Sequence, residues 1–406
     1  MRSMIKSRRE AGFLLGPVFY EFCCRLCWCT AQETPATDAL LFMARGGLRL
    51  KYLFELFLKI NRLEFRIPCF PFWSSRFFGV KMTFQENPEL AVGNLAREFA
   101  CADCTAVANA LLPDEFYPDK EALLRTIPGD IASAPVTREK IFALYQSRCD
   151  CSAKLREHLR EQHDLGHRLL SEQFGSFRNL HIVDSGWFGS TLGSLQTGCP
   201  RWQWDALYFG RWNYRGETPW YFGDITGLMI DAVGLKGKNA IDIFLEYHHI
   251  LEAVLEPELP SVEYCRGDGS CNAMIPGWEA RVAGDDNEEL WSGVKDYFAS
   301  APPADLDACT RATSQVLKKW KRLLRYPTRE EARLLEVPPR SADFGKAETT
   351  PVFGTPDRTS LCTCWRSIKR SLWPAGMIAV TFRRGVRLKQ LFWHVGKRFL
   401  HYRGAV

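Results

Sequence analysis

The sequence predicts an α/β fold in which a mostly parallel sheet is flanked by helices, and three observations support this. Residues 38–43 predict a buried strand, which a Gly turn at 44–47 joins to an amphipathic helix over 48–60. The apolar run 180–183 ends in Asp184 and is followed by a Gly-containing turn, 185–189, and a helix that starts at Ser190. Residues 204–210 predict the next strand. Strands that alternate with helices are typical of a parallel sheet.

The other elements follow from local patterns along the chain. Residues 67–73 predict a strand, and the predicted helical stretches are 13–30, most of 86–175, 240–258, 287–300 and 305–325. The region 334–360 is rich in proline and polar residues and has no periodicity, which is typical of a linker. We therefore predict an α/β phosphate-binding core over 1–300 with a helical insertion at about 86–175, a helical extension over 301–345, and a linker with a basic amphipathic tail over 346–406.

Composition indicates a globular protein of the reducing cytosol. The 406 residues are 46% hydrophobic and 25% charged, and no window approaches the ~18 uninterrupted apolar residues of a membrane span. The 15 cysteines are scattered through a large chain, whereas disulfide networks belong to small secreted domains. The net charge of +6 is concentrated at 366–403, which has ten Lys and Arg and no acid. This basic end makes 376–403 a candidate for peripheral contact with an anionic inner membrane.

The loop that follows Asp184 is the strongest candidate site. A strand, a Gly loop and a helix start bring backbone N–H groups and the positive end of a helix dipole to one point, where a phosphate can bind. Asp184 is the candidate catalytic residue, because it could orient a hydroxyl, a sugar or a metal-bound water. The alternative is an ordinary N-cap and a tight turn. The candidate ligand-binding residues of this loop are Gly186, Trp187, Gly189, Ser190 and Thr191.

Two further turns are candidate anion-binding positions. Arg45-Gly46-Gly47 follows the first strand, and Ser75-Arg76 follows the next predicted strand. A guanidinium group is a fixed fork that matches phosphate geometry, although either arginine could equally be a surface residue. Glu246 and Glu252 are expected on a helix surface, and His248 and His249 are expected to have structural roles.

Several sites of other kinds are not expected. The chain has no Walker A motif, dinucleotide-binding Gly loop or nucleophile elbow, and Asp305-Leu-Asp307 does not follow a strand. A zinc site could combine Cys101, Cys104, Cys149 and Cys151 with the pair His163 and His167, but this spacing matches no standard zinc module. We therefore predict no metal site formed by these cysteines and histidines. A divalent metal that binds at the Asp184 loop as a cofactor remains an open alternative. Nucleic acid is not an expected partner, since no nucleic-acid-binding module is present.

Several stretches together resemble the C-terminal half of predicted hydrolases of the haloacid dehalogenase superfamily that are encoded in bacterial surface-polysaccharide clusters. The matching stretches, in the family's order, are Leu15-Gly-Pro-Val18, Leu41-Phe-Met-Ala-Arg-Gly-Gly47, Ser74-Ser-Arg76, Ile182-Val-Asp-Ser-Gly-Trp-Phe-Gly-Ser190, Leu251-Glu252, Pro327-Thr-Arg-Glu-Glu-Ala332 and Ser371-Leu-Trp-Pro374. The D-x-D-x-T nucleophile half of that family is missing. The family's Arg-Asp-Gly is Arg45-Gly46-Gly47 here, and its Gln after the Gly-Ser loop is Leu192.

The layout of 40–58 and 183–192 is also similar to that of type I phosphoribosyltransferases, so the expected fold is phosphoribosyltransferase-like or Rossmann-like. Together the two resemblances imply a cytoplasmic protein that binds a phosphorylated sugar or nucleotide-sugar in surface-polysaccharide biosynthesis, with hydrolase-like chemistry if it is active. The alternative is a non-enzymatic accessory module that docks glycosyltransferases at the inner membrane through its basic end.

Overall fold

A computed structural model gives the structure of the protein. It describes residues 3–133, 135–213, 218–232, 241, 243–338, 340–341, 349–350, 352, 360–382 and 384–402. Most of the predicted linker over 334–360, and the last residues of the predicted tail, lie outside the described residues. The predicted division of the chain into three regions stays a prediction.

A five-stranded sheet forms the centre of the fold. Its strands are β1 (Asp38–Met43), β2 (Cys69–Phe72), β3 (Asn179–Trp187), β4 (Gln203–Trp212) and β5 (Ile225–Ala232). All neighbouring strands are parallel, and their order is β2-β1-β3-β4-β5. A short antiparallel pair, β6 (Arg340–Ser341) and β7 (Thr349–Thr350), lies outside this sheet. The predicted α/β class with a mostly parallel sheet is therefore confirmed.

Helices connect the strands and extend the chain beyond them. Before β3 the helices are α1 (Arg8–Cys29), α2 (Gly46–Asn61), α3 (Arg76–Glu86), α4 (Pro88–Glu98), α5 (Cys104–Leu111), α6 (Lys120–Leu124), α7 (Gly129–Ala132), α8 (Arg138–Gln146) and α9 (Asp150–Phe174). After β3 they are α10 (Ser190–Gly198), a 3-10 helix (Trp220–Asp224), α11 (Ile243–Glu246), α12 (His248–Leu255), α13 (Trp278–Ala283), α14 (Glu289–Ser300), α15 (Leu306–Arg325), α16 (Arg329–Leu334), α17 (Leu361–Arg370), α18 (Pro374–Thr381) and α19 (Val386–Tyr402). In the described part of the chain, no helix combines the length and apolar character needed to cross a membrane.

Both faces of the sheet are buried, as the continuous apolar strands require. Leu40 and Phe42 of β1 pack into one core, which includes residues of α1, α2, α12, α14 and α15. Leu41 and Met43 point the other way, into a second core with α3, α9 and α10. Side chains of a strand alternate between its two faces, so one six-residue apolar strand supplies both layers. A third core joins α3 to the helices between α4 and α9.

The predicted turn at 185–189 is wrong in its first part. Strand β3 continues to Trp187, and Gly186 and Trp187 pair with Gly210 and Arg211 of β4. Gly186 has a φ of +92°, and a Cβ atom there would lie 2.5 Å from the Gly210 carbonyl oxygen. The glycine therefore lets β3 bend without losing its partner strand. The turn is reduced to Phe188 and Gly189.

Candidate functional site

A cavity of about 490 Å³ opens at the carboxyl ends of β1 and β3. The chain runs from β1 outward to β2 and then returns to place β3 on the other side of β1, so the strand order reverses between β1 and β3. Ligands of open parallel sheets bind in the crevice at this reversal, because the connecting loops on its two sides separate there. The cavity therefore lies where the topology places a binding site.

Three helices begin at this cavity. They are α2 at Gly46, α3 at Arg76 and α10 at Ser190, and these three residues all line the cavity. The Ser75 hydroxyl caps α3 by accepting a hydrogen bond from the Phe78 N–H, at 3.1 Å. No side chain caps α2 or α10. The exposed N–H groups and dipoles of the uncapped helices favour an anion in the cavity.

Asp184 lies on the inner wall of the cavity, half-buried and reached by solvent through the cavity mouth. Burial and, to a smaller extent, the negative charge of Glu256 raise its pKa, while hydrogen bonds with Ser185 and Gly186 lower it, and the net pKa is about 7. A carboxyl group that titrates near neutral pH can both accept and return a proton. Asp184 therefore has the properties of an acid–base residue or of a ligand for hydroxyl groups.

Trp187 connects the loop to α12. Its indole N–H donates a hydrogen bond to Oε1 of Glu252 at 2.9 Å, and its ring centroid lies 5.6 Å from that of His248. Its backbone has a φ of +99°, a conformation that costs a bulky residue about 1–3 kcal/mol. Such backbone strain persists where surrounding contacts hold it, and the buried indole is held by Glu252.

The two predicted arginines both line the cavity, and each makes an ion pair. Arg45 lies 3.1 Å from Oε2 of Glu256, and its guanidinium donates to the Leu259 carbonyl at 3.4 Å. Arg76 lies 3.4 Å from Oε1 of Glu98. The side chain of Arg76 is 37% exposed, so its guanidinium is accessible to a ligand from solvent.

The structure brings together every predicted site residue except one. Those that line the cavity are Arg45, Gly46, Ser75, Arg76, Asp184, Gly186, Trp187, Gly189, Ser190 and Thr191. Gly47 faces away from the cavity. A Cβ atom there would lie 2.6 Å from the Val183 carbonyl oxygen, so this glycine allows α2 to pack closely on β3.

Among the cavity residues that were not predicted as site residues, three belong to one helix and its cap. They are His248, Glu252 and Glu256, which follow one another at intervals of four residues and so share one face of α12 and its C-terminal cap. The expected surface position of Glu252 is wrong, since this side chain is buried against Trp187. The four-residue spacing was the available signal. Glu246 is exposed and His249 is buried, as expected.

The other motifs have structural explanations in the described chain. Asp305 caps α15 by accepting a hydrogen bond from the Ala308 N–H at 2.8 Å. Cys104 and Cys151 are buried in the third core, Cys101 is exposed, and no described metal-ligand group contains any of them. A cysteine-based zinc site therefore has no support in the described residues.

Comparison with known proteins found no protein-family model and no curated protein that matches this chain.

Proposed function

We propose that this protein binds a phosphorylated sugar or a nucleotide-sugar in the cavity and serves surface-polysaccharide biosynthesis. The observation that carries the proposal is the convergence of the uncapped starts of α2 and α10 with Arg45 and Arg76 around the carboxyl group of Asp184. This arrangement supplies anion binding on one side and hydroxyl recognition on the other. The polysaccharide assignment rests on the family resemblance of the sequence.

The charges in the cavity predict how such a ligand would lie. A phosphate is repelled by Glu252 and Glu256 and attracted by the start of α10 and by Arg76, so it belongs beside Gly189, Ser190 and Arg76. The sugar hydroxyls would then face the carboxyl groups. A volume of about 490 Å³ lies within the range of small-molecule sites, ~300–1,000 Å³.

Hydrolase-like chemistry in this proposal depends on Asp184. A pKa of about 7 is suited to general acid–base work at neutral pH. The D-x-D-x-T nucleophile motif is absent from the sequence, so the proposal does not include a phospho-aspartate intermediate. A divalent metal brought with the phosphate would find carboxylate oxygens in the same cavity.

Calorimetric titration with a matched ligand set tests the proposal. The set contains inorganic phosphate, sugar phosphates, nucleotide-sugars and the corresponding unphosphorylated sugars. We expect binding of phosphorylated ligands only. Arg76→Met should weaken the binding of phosphorylated ligands about 10–100-fold, because it removes a charge-assisted hydrogen bond that contributes ~1.5–3 kcal/mol. Lys154→Met is the control, since it removes an exposed charge on α9 that pairs with Glu157.

Asp184→Asn keeps the shape of the side chain and removes its charge and its titration. We expect this variant to bind inorganic phosphate as the wild type does and to bind the sugar ligands more weakly. Equal affinities of Asp184→Asn and wild type for every ligand would contradict the assignment of Asp184. Binding that is independent of Arg76 would contradict the placement of the phosphate.

A specific feature of α19 favours a second candidate function, the docking of glycosyltransferases at the inner membrane. Gln390 and His394 attach the helix to the protein by hydrogen bonds to backbone carbonyls. The opposite face exposes large apolar side chains at helical spacing, namely Leu388, Leu391, Phe392 and Val395. Basic residues, Arg387 and Lys389 among them, lie next to this stripe, as in helices that bind at membrane surfaces.

Vesicle flotation tests this second function. Wild-type protein should float with vesicles that contain an anionic phospholipid and remain unbound to zwitterionic ones. Leu388→Ser with Phe392→Ser should abolish flotation, whereas Phe116→Ser, at another exposed aromatic residue, should leave it unchanged. Equal flotation of both variants, or binding to DNA alone, would contradict membrane docking.

A further inference from the structure

Two histidines and a glutamate meet at the end of the fold opposite to the cavity. His163 and His167 lie one turn apart on α9, with ring centroids separated by 4.4 Å. Glu86 is the last residue of α3, and its Oε1 lies 3.4 Å from Nε2 of His163. One ligand atom from each of the three residues lies within 4.8 Å of the others. A third helix, α10, also ends here, and the carbonyl group of its last residue, Gly198, contacts His167.

Hydrogen bonds identify which ring nitrogen of each histidine is available. Nε2 of His167 lies 2.7 Å from the Gly198 carbonyl oxygen, which can only accept, so Nε2 carries the hydrogen and Nδ1 has the lone pair. Nδ1 of His163 lies 3.2 Å from a carboxylate oxygen of Asp164, so Nδ1 is the donor and Nε2 has the lone pair. Metal-binding histidines characteristically donate their second N–H to a carboxylate or a backbone carbonyl.

The Nε2 atom of His163 is the part of this group that is available to a ligand. It is buried and has no hydrogen-bond partner among the described residues. It faces the carboxylate of Glu86 at 3.4 Å, an arrangement that is stabilised either by a proton on Nε2 or by a metal ion bound to both atoms, and the zinc titration below distinguishes the two. Two ligands of a tetrahedral zinc ion, each ~2.0–2.1 Å from the metal, are themselves about 3.3 Å apart. The observed separation therefore suits a shared ion.

We propose that Glu86, His163 and His167 form a zinc-binding site. Two imidazoles and one carboxylate are a known zinc ligand set, and they leave the fourth position to water. The side chain of Glu86 is 45% exposed, so an ion can enter from solvent. The two helices that end at the site, α3 and α10, direct the negative ends of their dipoles toward the ion.

A second group, Glu33, Asp38 and His181, has a similar composition, but both ring nitrogens of its histidine already have carboxylate partners. Nδ1 of His181 lies 2.8 Å from Asp205, and its Nε2 lies 3.2 Å from Asp38. Burial alone would lower the pKa of His181, but the hydrogen bonds and charges of these acids raise it to about 9. Neither ring nitrogen of His181 is therefore available to a metal ion, which makes this group the internal comparison for the proposed site.

The location of the zinc site suggests a structural role. The ion would join the C-terminal ends of α3 and α10 to α9, while the N-terminal ends of α3 and α10 line the cavity. Helix α3 has 11 residues and is therefore about 16 Å long, which separates the ion from the cavity by one helix length. The ion would fix how these two helix starts are held relative to each other.

Zinc titration of the chelator-treated, full-length protein tests the proposal, with a chromophoric chelator as competitor and Co²⁺ absorption as a second readout. We expect one zinc ion per chain and a visible Co²⁺ spectrum typical of nitrogen and oxygen ligands. His163→Gln and His167→Gln should each weaken zinc binding at least 100-fold. Asp164→Ala, which removes the carboxylate partner of His163 and no proposed zinc ligand, should weaken zinc binding about 10–100-fold.

Control variants make the outcome decisive. Cys101→Ser removes the exposed cysteine of a cysteine-based alternative, and Glu33→Gln alters the comparison group, so both should retain wild-type zinc affinity. Circular dichroism should show that each variant is folded. Zinc bound equally by wild type and His163→Gln, or lost only in Glu33→Gln, would overturn the proposal. A failure to bind phosphorylated sugars would leave this result unaffected, because the site shares no residue with the cavity.

Discussion

Gly46 and Gly47 are adjacent in the sequence but meet different surroundings, so alanine substitution should separate ligand binding from packing. A Cβ atom at Gly47 would lie 2.6 Å from the Val183 carbonyl oxygen and 3.0 Å from the Phe42 carbonyl carbon. Both are backbone atoms of the central strands β1 and β3, which cannot rotate away as a side chain can. At Gly46 the nearest atoms are Oδ1 of Asp184 at 3.5 Å and Oγ of Ser185 at 3.6 Å, which is ordinary contact.

These distances give the size of each effect. Gly47→Ala forces β1, β3 and α2 apart, and overpacking of this kind costs about 1–3 kcal/mol or more. Gly46→Ala requires no such movement, and loss of unfolded-state freedom should stabilise the chain by about 0.4–1 kcal/mol. The methyl group of Gly46→Ala would lie beside the carboxylate of Asp184 in the cavity. One extra carbon in a fitted pocket changes affinity about tenfold or more, so ligand binding should weaken by that factor.

Urea unfolding followed by tryptophan fluorescence measures the first effect, and calorimetric titration with the best phosphorylated ligand measures the second. Midpoints are compared rather than extrapolated free energies, because a chain of 406 residues with several cores need not unfold in one step. We expect a lower midpoint for Gly47→Ala alone and weaker binding for Gly46→Ala at an unchanged or higher midpoint. An unchanged midpoint for Gly47→Ala would refute the close packing, and full-strength binding by Gly46→Ala would refute the role of the cavity.

Three other perturbations address buried polar groups through the same urea midpoints. Trp187→Phe removes the donor to Glu252 and should cost about 1–3 kcal/mol, so an unchanged midpoint would contradict that bond. The pKa of His181 is raised from 6.5 to about 9, so its contribution to the stability of the fold is complete below pH 6.5 and is lost as the pH rises through 9. The difference in urea midpoint between wild type and His181→Gln should therefore shrink between pH 6.5 and 9. Burial lowers the pKa of Lys81 from 10.5 to about 7, so the wild-type protein should gain stability as the pH rises from 7 to 10.5. Lys81→Met should abolish this gain and should keep or raise the midpoint at pH 7. A lower midpoint would show that the amine stabilises the fold.

The elements that the sequence predicted well are those with local causes. The strand at 38–43 matches β1, because its apolar run, its Gly turn and the amphipathic helix after it are all visible within about 25 residues. The position of the cavity could be predicted from the same local strand–turn–helix units. In a parallel sheet every strand-to-helix turn lies at one edge, so the turns at Arg45, Ser75 and Asp184 had to be near one another.

The features that the sequence did not predict depend on distant partners. Ser185–Trp187 has the composition of a turn, yet its last two residues stay in the sheet because Gly210 and Arg211 of β4 lie beside them. Strand β5 was not predicted, because Gly227 and Asp231 interrupt its short apolar run and its pairing with β4, on both sides of a register shift between Tyr208 and Gly210, is not visible in the sequence. The burial of Glu252 was not predicted, because it depends on a hydrogen bond with Trp187, which lies 65 residues earlier in the chain.

The contact between Trp187 and Glu252 explains why an aromatic residue occupies a strained position at the end of β3, next to the glycine-containing turn. Without a partner, a φ of +99° would favour glycine at this position and leave the loop free to change conformation. The indole gains burial and a hydrogen bond to a carboxylate, which together can offset a strain of about 1–3 kcal/mol. The same bond holds the face of α12 that carries His248, Glu252 and Glu256 against the loop that carries Asp184. Under the proposed function, the strain is the cost of a preorganised site, in which the acidic face of α12 and the start of α10 are held at a set separation before any ligand enters.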